Sequence, residues 1–445
     1  MMDPEIKTIK RPDGEIQRLQ TVKLPDWESP AFFRPQPAKD PLPGLLRIYR
    51  QFLVPSAPWI FGQMVLLRVP EGMALPAGVD ASDDPEDRLF TAADLLREGV
   101  RLVRGKPHFR TAEARLLWEK LEGAGALETV CGKLPFTKVI PVSEKMGLLS
   151  ESAQEASLRV NASFFIMDPF DCASPYDSVG TPFGLCVKDG EILSPPLYER
   201  EALLVEKSGC VRIGKPSLQE LTIEIAGQVF EPGRNAEIIS RPLCSRTAVG
   251  SGPEAVIVGR KVRALNLVGG LEVPAAGFVL RSPDLQGNCM GGEVRYHGPE
   301  DIVFGIQAGS SLLRDGVRSG GFLSPFYNIR KLQRTAFPPS LYPLNYEKDR
   351  AARIALGADK DGRPMLLWAE GAPKIGYRRG ETSCGASLSE MEEYCREAGM
   401  ANAVNLDGGG SAQILLNGRR ALELSDRKED GSELERAVPL GVSVH

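Results

Sequence analysis

Apolar and polar positions change rhythm along this chain, and the changes divide it. In 42–55, Leu45, Leu46, Tyr49, Phe52 and Leu53 recur at the spacing of one helical face. Residues 62–79 read as strand, turn, strand. Residues 89–103 and 111–125 read as helices, the first capped by Thr91, the second with Leu116, Leu117 and Leu121 on one side. Beyond about residue 130, short apolar runs alternate with Gly-containing turns. Asp189-Gly190, Asp315-Gly316, Asp361-Gly362 and Asn417-Gly418 are hairpin signals, because the tightest hairpin turns need positive φ. Residues 200–330 read mostly as strands, and 354–371 as a hairpin.

One helix is well marked. Ser387 and Glu390 fit a capping box, Leu388, Met391, Cys395 and Ala398 follow at helical spacing, and Gly399 is a natural stop. Residues 402–406 then read as a strand running into Asp407-Gly408-Gly409-Gly410-Ser411, with another strand after it. Each glycine in an element interior costs about 1 kcal/mol. What three of them offer is backbone N–H groups that a ligand can approach closely, which suits a phosphate or a sugar oxygen. Asp407 at the strand end would face the same ligand. No Lys-Ser or Lys-Thr follows, so the loop is not a P-loop. A strand rather than a helix comes next, so it is not a dinucleotide fingerprint either. The plain alternative is a turn.

Composition narrows the choice. The chain has 445 residues, is 42% hydrophobic and 25% charged, and carries a net charge of −4, with no dominant basic stripe; nucleic acid is not an expected partner. No apolar run approaches the roughly 18–20 residues that span a bilayer, and the first residues lack a signal-peptide core, so the expected location is cytoplasmic. The eight cysteines form no CxxC pair, and reduced thiols are expected. Only three histidines occur, His108, His297 and His445, none in a nucleophile context, so carboxylates are expected to carry any acid–base chemistry.

Arg353-Ile-Ala-Leu-Gly357, the Asp361-Gly362 hairpin, Ser383-Cys-Gly385-Ala-Ser387-Leu388, the capped helix and Asn405-Leu-Asp407-Gly-Gly-Gly-Ser411 follow one another in an order that resembles the phosphodiester glycosidase family. VNASFF (160–165) resembles that family's NGGFF block, with Ala162 and Ser163 in place of both glycines. Residues 181–192 resemble its P-x-G…DG segment, 306–317 its glycine-rich segment, and 435–444 its closing E-R-x-V strand. The likeness is strong over 350–445 and patchy from 155. It implies an α+β fold: a long, curved, largely antiparallel mixed sheet with packed helices, plus a small N-terminal helical or extended region. Residues 1–60 are expected as an arm with one helix. Residues 61–445 are expected as the family domain, with a helical insertion at about 89–125.

The same likeness implies hydrolysis at a sugar's anomeric carbon, with a phosphodiester as leaving group and a small or polymeric phosphosugar as substrate. A carboxylate would meet the developing oxocarbenium charge, and cations or N–H groups would meet the phosphate. Asp407 is the expected key carboxylate, Arg353 a phosphate clamp and Glu435 a second carboxylate; the bland reading of Glu435 is an ion pair with Arg436. Asn161, Ser383, Gly385, Gly408, Gly409, Gly410 and Ser411 are the expected substrate-binding residues. No metal ligands are assigned, although Asp168, Asp171 and Asp177 could together hold a divalent cation, Ca²⁺ or Mg²⁺. Two alternatives stand beside hydrolysis: a non-catalytic phosphosugar-binding or assembly protein, and a phosphodiesterase cutting P–O. The oligomeric state is not readable.

Overall fold

The computed structural model describes residues 2–27, 30–33, most of 156–320 and most of 349–444, with short pieces between 67 and 119 and near 146–150. Contacts group the chain into two units. The first is Met1–Ala38, Lys145–Ile166 and Gly180–His445; the second is Lys39–Glu144 with Met167–Val179. Every expected catalytic and substrate-binding residue lies in the first unit, whereas Asp168, Asp171 and Asp177 belong to the second.

That unit is built from antiparallel sheets. The largest has seven strands in the order Glu5–Lys10, Ile16–Lys23, Pro364–Ala369, Arg353–Asp359, Met400–Asn405, Ser311–Arg314, Val317–Arg318. Pro364–Ala369 is buried along its whole length and Arg353–Asp359 at every position but Asp359, so Pro364–Ala369 and the stretch 354–358 are unbroken apolar runs rather than alternating ones. Helix Leu388–Glu397 packs Leu388, Met391 and Cys395 onto Ala355, Leu367 and Ala403 of this sheet. Gly357 lets neighbouring strands approach, because a Cβ there would collide with the Asn402 carbonyl. A five-stranded sheet runs Arg419–Arg420, Ile414–Leu416, Leu158–Asn161, Gly441–Val444, Pro30–Phe33. The Asp407 loop joins these two sheets. Further sheets of five, four and three strands share a core around Phe230, Phe278 and Ile257.

The expected α+β class is therefore corrected. Among the described residues the protein is mostly β-sheet, 43% strand against 8% helical, in several antiparallel sheets rather than one long sheet with packed helices. Leu388–Glu397 is the one α-helix whose bounds are described. The error lies in short apolar runs, whose periodicity does not separate a helix from a strand. The helix expected over 89–103 is contradicted at its end, where Val100–Val103 pairs with Lys106–Phe109 as a hairpin. The helix expected over 42–55 lies outside the described residues. Of 111–125, residues 112, 115, 116 and 119 are helical.

Several local readings hold. Ser387 and Glu390 form the reciprocal capping box, and Gly399 ends the helix with φ of 86°. Asp189-Gly190, Asp315-Gly316 and Asn417-Gly418 adopt positive φ at both residues, as a tight hairpin turn requires. The first residues, expected as part of an arm, form a hairpin instead, and its second strand pairs with Pro364–Ala369 from Leu19↔Ala369 to Lys23↔Met365.

Candidate active site

Strand Met400–Asn405 delivers Asp407 to the junction of the two sheets. The Asp407 backbone is fixed from both sides. Its N–H donates to the Ala162 carbonyl (3.1 Å), and its carbonyl accepts from Asn161 Nδ2 (2.7 Å). Asn161 Oδ1 accepts from the Gln413 N–H (2.9 Å), so this one buried amide staples the loop's entry to its exit. Gly409 N–H donates to Ala352 O (2.8 Å), and residues Gly409–Ser411 close a 3₁₀ turn.

The Asp407 side chain is nearly buried and accepts from the Gly408 N–H (2.9 Å). Burial pushes its carboxyl up. The Ser411 hydroxyl, Arg436, the Gly408 N–H and Arg353 pull it back, and the balance lies at about 6. Beyond Ser411 the network continues. Arg436 Nη1 donates to Ser411 Oγ (3.2 Å), and Arg436 Nη2 and Nε donate to Asp426 Oδ2 (2.6 and 3.1 Å). This guanidinium and carboxylate lie across Gly410, where a Cβ would collide with both.

The other expected residues divide. Arg353 is buried beneath the loop, with its Cδ 3.6 Å from where a Gly408 Cβ would be. Its Nε donates to Ala386 O (3.3 Å) and its Nη2 to Asp349 O (2.9 Å). Burial lowers its pKa to about 10, against the opposing pull of Asp349 and Asp407. It is a buried strut that lends charge to Asp407, not an open clamp. Ser383 donates its hydroxyl to Glu370 O (2.6 Å) and accepts from the Arg18 N–H (3.3 Å). Gly385, at φ +80°, passes against Ala351, and its carbonyl accepts from Gln17 Nε2 (2.8 Å). Both tie the N-terminal hairpin to the sheet. The Glu435 carboxylate is engaged by Ser150 N–H (2.8 Å), Ser150 Oγ (2.6 Å) and Arg420 (3.1 Å). No hydrogen bond or ion pair between Glu435 and Asp407 is found among the described residues.

Asp168 and Asp171 lie outside the described residues. Asp177 accepts from Ser174 N–H (2.9 Å) and Oγ (3.0 Å). Among the described residues no group of three or more His, Cys, Asp and Glu could hold a metal ion.

The sequence carries no signal for Asp426, and it offers Arg436 only as a neighbour for Glu435. Adjacent residues of an extended chain point to opposite sides. Glu435 therefore reaches Ser150 and Arg420 while Arg436 reaches Ser411. Asp426 sits in a polar run, SDRKED, with no periodic signal.

The model of the phosphodiester glycosidase family matches residues 278–445. Residues 278–445 are a phosphodiester glycosidase-family segment. Two curated relatives, the N-acetylglucosamine-1-phosphodiester alpha-N-acetylglucosaminidases of Mus musculus and Homo sapiens, are each 38% identical to this chain over 96 residues. That stretch is 21% of this chain, and it spans only 17% of the length of either relative. A solved structure of the zebrafish enzyme of the same name, its catalytic domain auto-inhibited by pro-peptide, aligns with 100% of this chain and 83% of its own, at 14% identity and a TM-score of 0.37. The phosphodiester glycosidase segment contains Asp407, Ser411, Asp426 and Arg436. Asn161 lies outside it, and the antiparallel pairing of Leu158–Asn161 with Ile414–Leu416 and Gly441–Val444 brings it to the loop.

Among the described residues no helix is long and apolar enough to cross a membrane.

Proposed function

We propose that this chain hydrolyses the bond between a sugar's anomeric carbon and the oxygen of a phosphodiester. The observation that carries the reading is Asp407: a buried carboxylate beside three backbone glycines, with one hydroxyl and two arginines around it and a pKa raised to about 6. An acid in that range is largely ionised near neutral pH, and in a poorly solvated setting its charge acts strongly on a developing cation. In the reaction the C1–O bond breaks and its electron pair leaves with the phosphate, as a monoester. Water supplies the new oxygen on C1 and gives up a proton. A phosphate needs little protonation to leave, which fits a site with N–H, hydroxyl and guanidinium groups. Asn161 holds the loop in register. Asn405 is fully buried two residues before Asp407, and neither polar side-chain atom has a hydrogen-bond partner among the described residues.

The family match of residues 278–445 supports the reaction class, and the relatives' names supply the first sugar to try, N-acetylglucosamine. The test is release of free sugar from a panel of α-sugar-1-phosphodiesters in oxygen-18 water, with and without EDTA. Label in the sugar is the expected result. Label in the phosphate would mean P–O cleavage and overturn the assignment. A folded protein that releases no sugar from any member, while binding them, would favour the non-catalytic reading.

A further inference from the structure

The expected phosphate clamp, Arg353, has two of its nitrogens on backbone carbonyls and lies beneath the loop. A second guanidinium stands on the other side of the same glycines. Arg436 follows Glu435 and reaches across Gly410 to Ser411, whose hydroxyl also bonds Asp407. Its side chain is 26% exposed, while the Asp426 carboxylate that holds it is only 7% exposed. The buried acid therefore fixes the orientation of a cation that solvent, and hence a ligand, can reach. Two contacts from Asp426, at Nε and Nη2, fix the guanidinium plane and direct Nη1 along the loop toward Ser411. Gly410 is the residue that admits this arrangement, since any side chain there would displace the pair.

We propose that Arg436, positioned by Asp426, recognises the phosphate of the substrate and makes the site select an anionic leaving group over a neutral one. The assignment rests on the phosphodiester glycosidase reading of the Asp407 loop. It places charge recognition on the solvent side of the loop and leaves Arg353 to balance Asp407 from below. An arginine suits the task because its fixed donors match phosphate oxygens and its charge does not titrate near neutral pH.

The experiment compares two substrates of one sugar, UDP-N-acetylglucosamine and 4-nitrophenyl α-N-acetylglucosaminide, whose aglycones carry phosphate charge and no charge respectively. Arg436→Gln should raise KM for the phosphodiester by about 10- to 100-fold beyond any change it causes with the aryl glycoside, since the loss of its charge beside Asp407 affects both substrates alike. Arg436→Lys should recover part of the loss, and Asp426→Asn should resemble a milder Arg436→Gln. Equal losses on both substrates, with circular dichroism unchanged, would reduce Arg436 to a structural role and overturn the proposal. A binding arm separates this failure from failure of the catalytic reading. Dimethyl phosphate, a phosphodiester without sugar, should broaden in phosphorus NMR with wild type and not with Arg436→Gln. Equal broadening by both proteins, or none by wild type, would also overturn the proposal, whether or not sugar is released.

Discussion

Asp407 links stability to the proposed activity. Its carboxyl titrates at about 6 in the folded chain, against about 4 for an unperturbed aspartate. Between those values the folded state holds a proton that the unfolded chain has released. Stability contributed by this group is therefore fully present below about pH 4 and is lost as pH rises through about 6. A shift of about 2 units corresponds to about 2–3 kcal/mol. Asp407→Asn should thus be more stable than wild type at pH 7, and this advantage should shrink toward pH 4; urea unfolding at both values measures it. The same substitution should lower sugar release by about 10²-fold or more, a loss of roughly 2.7 kcal/mol of transition-state stabilisation. If the ionised form works, kcat/KM should climb with pH through about 6. A flat profile from pH 5 to 8 with active enzyme would remove Asp407 from the chemistry. The loop and Asp407 were legible in the sequence because three glycines in a row have no role in a regular element. Asp426 and Arg436 were not, because their contacts with the loop form only when distant turns fold together.

At the scale of elements, helix Leu388–Glu397 was readable to the residue, and its cap does more than start a helix. Glu390 accepts from the Ser387 N–H (2.9 Å), from Arg350 Nη2 (2.8 Å) and Gln17 Nε2 (3.0 Å), and it pairs with Arg11. Burial pushes its carboxyl up, but Arg350, the Ser387 N–H and Arg11 overcome this and hold it at about 2. Stability from this group is present above about pH 4.5, its ordinary range, and is lost as pH falls toward 2. Glu390→Ala should cost about 2 kcal/mol at pH 7, after allowing for solvent screening of a part-exposed group. The difference should narrow below about pH 4.5, as chemical unfolding across that range will show. A constant difference would mean the loss is capping alone. The hairpins were legible for a related reason, since Asp-Gly and Asn-Gly state their backbone geometry locally. The helix expected over 89–103 had no such local signal at its end, and an apolar run there serves a strand equally well.

For the whole molecule, the question is what the first residues do. Composition made them an arm, yet Ile16, Leu19, Val22 and Leu24 are buried and strand Ile16–Lys23 covers Pro364–Ala369, whose six side chains are all buried. Burial of four such side chains is worth roughly 6–12 kcal/mol, comparable with the whole stability of a typical domain, about 5–15 kcal/mol. The strand also reaches the site's surroundings. Gln17 is fully buried, donates to Gly385 O and bonds Tyr394 and Glu390, while the Cys384 N–H donates to Ile16 O (2.9 Å). Removing residues 1–23 would uncover a long apolar edge that pairs readily with other chains. The truncated protein should therefore be insoluble or should melt without cooperativity, and a co-expressed peptide of residues 1–27 should restore soluble protein by refilling the edge. Gln17→Ala is the milder form. It leaves the Gly385 carbonyl and the Tyr394 hydroxyl without their buried partner, and about 2–3 kcal/mol should be lost with the fold retained. A truncated chain that is soluble and melts cooperatively at the wild-type temperature would mean that the hairpin is an accessory, and that residues 1–60 are available for another partner after all.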